Sequence, residues 1–294
     1  MNLSGSICAL ATPFDSDGTL DLDAFRRLIE RQIQGGTQAV VVAGSTGEAH
    51  ALTAAEFDQL VASCVSHVAG RVPVIVGTGG ANTAKTIAVT QRARQLGADA
   101  ALVVTPYYVR PTQEGLRAHY LAVAESAGLR IVLYNVPGRT GCDLSPDTTA
   151  RLAAHPNIVG IKEAVADAQR MADLLVLRNP SFCVLSGDDP TAARSLLAGA
   201  DGVISVANNL VPALFRALCD AARAGRRDAV AMLDAQLQPL FDALGVESNP
   251  IPLKWGLSLQ GIGSARPRLP LTELTPGHRS RLHDVLMNLQ DAAA

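Results

Sequence analysis

Eight short apolar runs, each leading into a stretch with helical spacing, restrict this chain to very few folds. They read SICALATP from Ser6, AVVVAG from Ala39, PVIVGTG from Pro73, AALVVTP from Ala100, IVLYN from Ile131, IVGIK from Ile158, FCVLSG from Phe182 and GVISVA from Gly202. The runs are near-continuous rather than alternating, as strands buried on both faces of a parallel sheet are. The intervening segments carry helix signals. Thr53 and Glu56 have capping-box spacing, ahead of Phe57, Leu60, Val61, Cys64 and Val65 at helical intervals. Leu22, Phe25, Leu28, Ile29 and Ile33 form another apolar stripe. Ser145 before Pro146, and Asp189 before Pro190, each place an N-cap residue ahead of a proline suited to the first helical turn. Eight such alternations predict a closed (β/α)8 TIM barrel, with an open doubly wound sheet as the alternative.

After Gly225 the strand signals stop. Leu233, Leu237, Leu240, Phe241 and Leu244, then Leu282, Val285, Leu286 and Leu289, repeat at helical spacing, and Pro250, Pro252, Pro267, Pro270 and Pro276 punctuate the segment. The expected organisation is a barrel over residues 1–224 carrying the active site and a C-terminal helical domain over residues 225–294.

With 294 residues, 48% of them hydrophobic and 18% charged, the chain should bury a substantial core. A formal charge of −2 offers no basic face to nucleic acid or anionic lipid. No run approaches the ~18 apolar residues of a membrane span, and ICALATPF from Ile7 is too soon broken by Pro13 to read as a signal peptide. The five cysteines are odd in number and scattered, without CxxC spacing, and the six histidines include no HExxH. The expectation is a cytoplasmic protein with no disulfide framework and no required metal.

In a (β/α)8 barrel the reactive groups stand where strands end and βα loops begin. Those ends are polar and specific here: GSTGE from Gly44, TPYY from Thr105, YNVPGRTG from Tyr134, Lys162 closing the sixth run, and SGDD from Ser186. Only three of the 25 basic residues are lysines, and Lys162 sits at the mouth of a buried strand. Burial disfavours a lysine's charged form, and a neutral amine near pH 7 is what imine-forming catalysis requires. A snorkelling or salt-bridged strand-end lysine is the alternative. Strand alternation puts Gly160 on the same side as Lys162, where a glycine would leave room for a small keto acid. The string AGSTG half-matches the GxSxG elbow of serine hydrolases, but Ala43 stands where the first glycine belongs.

Taken together, these motifs resemble the pyruvate-dependent class I aldolase and N-acetylneuraminate lyase family, and within it the dihydrodipicolinate synthases, from LATPF at Leu10 to NPIPLKW at Asn249. The resemblance implies condensation of pyruvate with L-aspartate 4-semialdehyde in lysine and diaminopimelate biosynthesis, by way of an imine on Lys162 and without metal or organic cofactor. It implies Tyr134 as a proton shuttle, partnered by Ser45 and by Tyr108 from a neighbouring subunit, although residues alone leave open whether Tyr107 or Tyr108 enters the site. Thr46 would hold the pyruvate carboxylate, Arg139 would receive the carboxylate of the aldehyde through its guanidinium fork, and Gly187 and Ile204 would line the pyruvate pocket. The family is most often a homotetramer built from tight dimers.

Two departures from the pattern matter. Ser45 stands where these synthases usually have threonine and sialic-acid lyases usually have serine, so cleavage of a sialic acid or keto-deoxy sugar acid is the nearest rival activity. A non-catalytic keto-acid-binding barrel is the remote one. The positions of Phe57, Ala81 and Lys85 are commonly histidine, asparagine and glutamate in lysine-inhibited members. A cation at residue 85 would repel an effector's ammonium, and feedback inhibition by lysine is expected to be weak or absent.

Overall fold

In a computed structural model that describes residues 3–291, all eight apolar runs form parallel strands that close into one barrel in sequence order. The strands are β1 (Gly5–Ala9), β2 (Ala39–Val42), β3 (Val74–Gly77), β4 (Ala100–Val104), β5 (Arg130–Asn135), β6 (Ile158–Glu163), β7 (Cys183–Ser186) and β8 (Gly202–Ser205). β1 pairs with both β2 and β8, which closes the cylinder and leaves no sheet edge. The open doubly wound alternative is thereby excluded.

Alternate strand residues point inward and fill the barrel. Ile7, Val41, Ile75, Leu102, Leu185 and Ile204 form a buried interior cluster, a packed floor rather than a pore. The other faces pack beneath the helices. Nine of these alternate with the strands: α1 (Leu22–Gln34), α2 (Ala54–Val68), α3 (Thr83–Gln95), α4 (Gln113–Ser126), the single turn α5 (Pro137–Thr140), α6 (Pro146–Ala153), α7 (Ala168–Leu175), α8 (Ala192–Ala198) and α9 (Pro212–Arg223). The Thr53–Glu56 capping box forms reciprocally, and Ser145 caps α6 by accepting from the Thr148 amide. Asp189 does not cap α8, contrary to its sequence signal. Its carboxylate instead accepts from the Val206 and Ala207 amides beyond β8, and Thr191 takes the cap position without a side-chain capping bond to the helix.

Three further helices follow, α10 (Arg227–Leu244), α11 (Ile251–Leu259) and α12 (Pro276–Asp291). Leu240, Leu253 and Leu286 from them share one apolar core with Leu210 and Phe215 of the barrel shell. No helix among the described residues is long and apolar enough to cross a membrane. The five cysteines are buried free thiols, and burial pushes Cys64, Cys183 and Cys219 up to about 12, which keeps them protonated and poorly nucleophilic.

Candidate active site

The C-terminal ends of β5 and β6 carry the centre of the site. The strands pair in parallel with one irregularity between Ile131 and Val132, after which Tyr134 lies directly opposite Lys162. An unbroken register would have set Tyr134 against Ile161, whose side chain belongs to the outer core. Lys162 is 5% exposed, and its Nζ stands 4.3 Å from the centroid of the Tyr134 ring. Beneath them lies the apolar floor that includes Leu185 and Ile204.

Space for the lysine comes from Gly187, while Gly160, expected from alternation to leave room for a small keto acid, faces Cys183 instead. A Cβ at residue 187 would lie 2.5 Å from Lys162 Cε and 2.9 Å from its Cγ. One at Gly160 would instead strike Cys183, 2.4 Å from its Sγ. Gly160 therefore permits close approach of β6 and β7, and Gly187 gives the amine its channel.

Above Tyr134 opens a cavity of about 340 Å³ lined by Ser45, Tyr107, Tyr134, Val136, Arg139 and Thr140, among others. Ser45 and Thr46 reach the site on a tight turn after β2. Ala43 and Glu48 bracket that turn at φ 53° and 51°, left-handed conformations that cost non-glycine residues of order 1–3 kcal/mol each and persist only where the surroundings hold them. Thr46 is buried, and its hydroxyl accepts from Asn249 Nδ2 at 2.9 Å. Arg139, on α5, is exposed at the cavity mouth, tethered by a 3.3 Å bond from Nη2 to the Asn249 carbonyl. Asn249 thus touches both residues expected to hold carboxylates. Sequence reasoning gave it no role, because nothing local couples residue 249 to residues 46 and 139.

The two tyrosines after β4 separate. Tyr107 lines the cavity and is 47% exposed, whereas Tyr108 is 91% exposed with φ 73°. Its amide is fixed to the Thr140 carbonyl at 3.2 Å, so the ring is held away from its own chain by a constrained backbone.

A buried polar network backs the two strand ends. Asn135 Nδ2 donates to both carboxylate oxygens of Glu163 at 3.0 and 3.2 Å and to Asp143 at 2.8 Å, and the Val165 amide donates to Glu163 at 2.8 Å. Burial pushes the Glu163 carboxyl up, against the lowering effect of these donors. Arg170 pairs with Asp143, so the loop after Arg139 is fastened to the same network. The arrangement offers a buried amine, an adjacent phenol, a hydroxyl-bearing turn and a cationic mouth, which suits covalent capture of a small keto acid and admission of an acidic partner.

Residues 2–289 match the model of the dihydrodipicolinate synthetase family. The 4-hydroxy-tetrahydrodipicolinate synthase of Xanthomonas axonopodis pv. citri is 61% identical over 279 residues, covering 95% of this chain and 92% of that protein. Among solved structures, the chloride-inhibited dihydrodipicolinate synthase of Acinetobacter baumannii complexed with pyruvate superposes with a TM-score of 0.95 at 44% identity, covering 98% of this chain and 99% of that one. The Cyanidioschyzon merolae enzyme with lysine bound gives a TM-score of 0.93 at 35% identity, covering 97% of each chain.

Proposed function

The chain belongs to the dihydrodipicolinate synthetase family, and we infer on that premise that it condenses pyruvate with L-aspartate 4-semialdehyde to give 4-hydroxy-tetrahydrodipicolinate, the lyase step feeding lysine and diaminopimelate biosynthesis. The observation that carries the mechanism is the buried Lys162 amine set against the Tyr134 ring on the adjacent strand.

The unprotonated Lys162 amine attacks the keto carbon of pyruvate, and the carbinolamine loses water to form an imine. Loss of a methyl proton into this electron sink gives an enamine, whose carbon attacks the aldehyde carbon of the second substrate. The amine of the semialdehyde then displaces Lys162 from the imine carbon, closing the ring and freeing the enzyme, so one water is released overall. Tyr134 passes protons in the carbinolamine and dehydration steps. A phenol is a poor base alone, and Ser45 together with Tyr108 of a neighbouring subunit are assigned as its hydrogen-bonded partners. Thr46 and the turn amides hold the pyruvate carboxylate, Gly187 and Ile204 shape its pocket, and Arg139 selects an acidic aldehyde at the mouth. The covalent imine supplies the electron sink, so the reading assigns no metal or organic cofactor.

A coupled assay with pyruvate and aspartate semialdehyde tests the reading. Turnover requiring both substrates supports it, and cleavage of a sialic or keto-deoxy sugar acid without use of the semialdehyde would overturn it.

The assembly assigned is a homotetramer of tight dimers, supported by the exposed Tyr107–Val109 stretch and the constrained outward ring of Tyr108. Feedback by lysine is assigned as weak or absent. Phe57, Ala81 and Lys85 line one cavity of about 810 Å³, whose wall a lysine ammonium would have to approach past the Lys85 cation. Half-inhibition at sub-millimolar lysine in a titration would refute this.

A further inference from the structure

Two of the three lysines are buried, and the chemistry above uses only one. Lys254, on α11, is 2% exposed. Its Nζ donates to Glu48 Oε1 at 2.5 Å and to the Thr12 carbonyl at 3.2 Å, and lies 4.0 Å over the Phe14 ring. Glu48 is fully buried, and its second oxygen accepts from the Arg268 amide at 2.8 Å. Burial pulls the Lys254 ammonium down, opposed by Glu48.

Such a pair is a poor device for stability alone. Desolvating two charges offsets much of their attraction, and apolar side chains of similar volume often serve a core as well. What the pair fixes here is a backbone. Glu48 closes the Gly44–Glu48 turn in its left-handed conformation, its amide donating to the Ser45 carbonyl at 3.2 Å. Thr12, whose carbonyl Lys254 holds, donates its hydroxyl to the Gly47 carbonyl at 2.6 Å. One ammonium therefore grips the turn twice, through Glu48 and through Thr12, directly behind Ser45 and Thr46. Gly47 leaves little slack, since a Cβ there would lie 3.1 Å from the Leu10 carbonyl oxygen.

We infer that Lys254 and Glu48 are positioning residues for the keto-acid carboxylate, their ion pair holding the Gly44–Glu48 turn so that Thr46 and the turn amides meet that group. The inference rests on the pyruvate reading above and extends the site's support to Lys254 on α11.

The test measures the pyruvate concentration giving half-maximal borohydride trapping, the KM for semialdehyde, and the thermal midpoint, in Lys254→Met, Glu48→Gln and the double variant. Each single variant leaves a buried charge or its partner uncompensated and should lose stability, whereas the double variant should recover most of that loss. Half-saturation by pyruvate should nevertheless stay raised by about ten-fold or more in all three, with the semialdehyde KM within about two-fold of the parent value, because a misplaced turn penalises only the group it holds. A purely structural pair would let half-saturation return together with the thermal midpoint, and that result overturns the inference. Should the double variant not fold, Glu48→Asp decides on the same readout, since it keeps the charge and shortens its reach. Absence of trapping in the parent protein would sink the pyruvate reading itself, whereas parental trapping with unchanged half-saturation in the variants sinks the positioning role alone.

Discussion

Gly187 meets Lys162 where a side chain could not, because a Cβ there would crowd both Cε and Cγ of the lysine. The strand that carries the lysine is paired on both sides, with β5 and with β7, so its backbone is fixed. Gly187→Ala is expected to lower the rate of pyruvate trapping by about a hundred-fold, as misplacement of a reacting atom by about 1 Å can do, while leaving the thermal midpoint within a few degrees of the parent. Parental trapping kinetics in that variant would show that the channel is wider than the geometry implies. His119, on α4, is a buried titratable ring away from the site. Its Nδ1 lies 2.9 Å from the Thr83 hydroxyl, Nε2 has no hydrogen-bond partner among the described residues, and burial pulls its pKa down to about 4. The folded value lies below the unfolded one, near 6.5, so the neutral ring contributes stability that is present above pH 6.5 and is lost as pH falls toward 4. His119→Gln should flatten the dependence of the thermal midpoint on pH across that window, and an unchanged slope would contradict the assignment.

At the scale of elements, what the sequence conveyed follows the range of the interaction. The eight strands and the caps at Thr53 and Ser145 were legible because continuous apolar runs and side chains three residues apart act locally. The Asp189 signal misled because its carboxylate is drawn to the amides of Val206 and Ala207, seventeen and eighteen positions away, which offer it two donors. The pairing of Tyr134 with Lys162 rests on a register shift that no periodicity reveals. Lys162, Tyr134, Ser45 and Arg139 were legible as strand-end residues. Asn249 and Lys254 were not, since their partners at Thr46 and Glu48 lie more than two hundred residues earlier in the chain.

On the proposed reading, a second copy of the chain is needed to complete the catalytic set. Tyr108 is 91% exposed, so the proposed relay role requires another copy docked against it. Sedimentation should therefore show a tetramer or at least a dimer. Tyr108→Phe should lower kcat by roughly ten-fold or more without dissociating that species, since the ring remains and one proton-transfer partner is lost. Loss of activity that merely tracks dissociation would assign the residue to the interface instead.

The proposed activity depends on one covalent bond, between Lys162 and pyruvate. Incubation with pyruvate and borohydride, followed by peptide mapping, is predicted to place the reduced adduct on Lys162 and to yield none in Lys162→Ala. Adduct on Lys85 or Lys254, or undiminished turnover in Lys162→Ala, would contradict it.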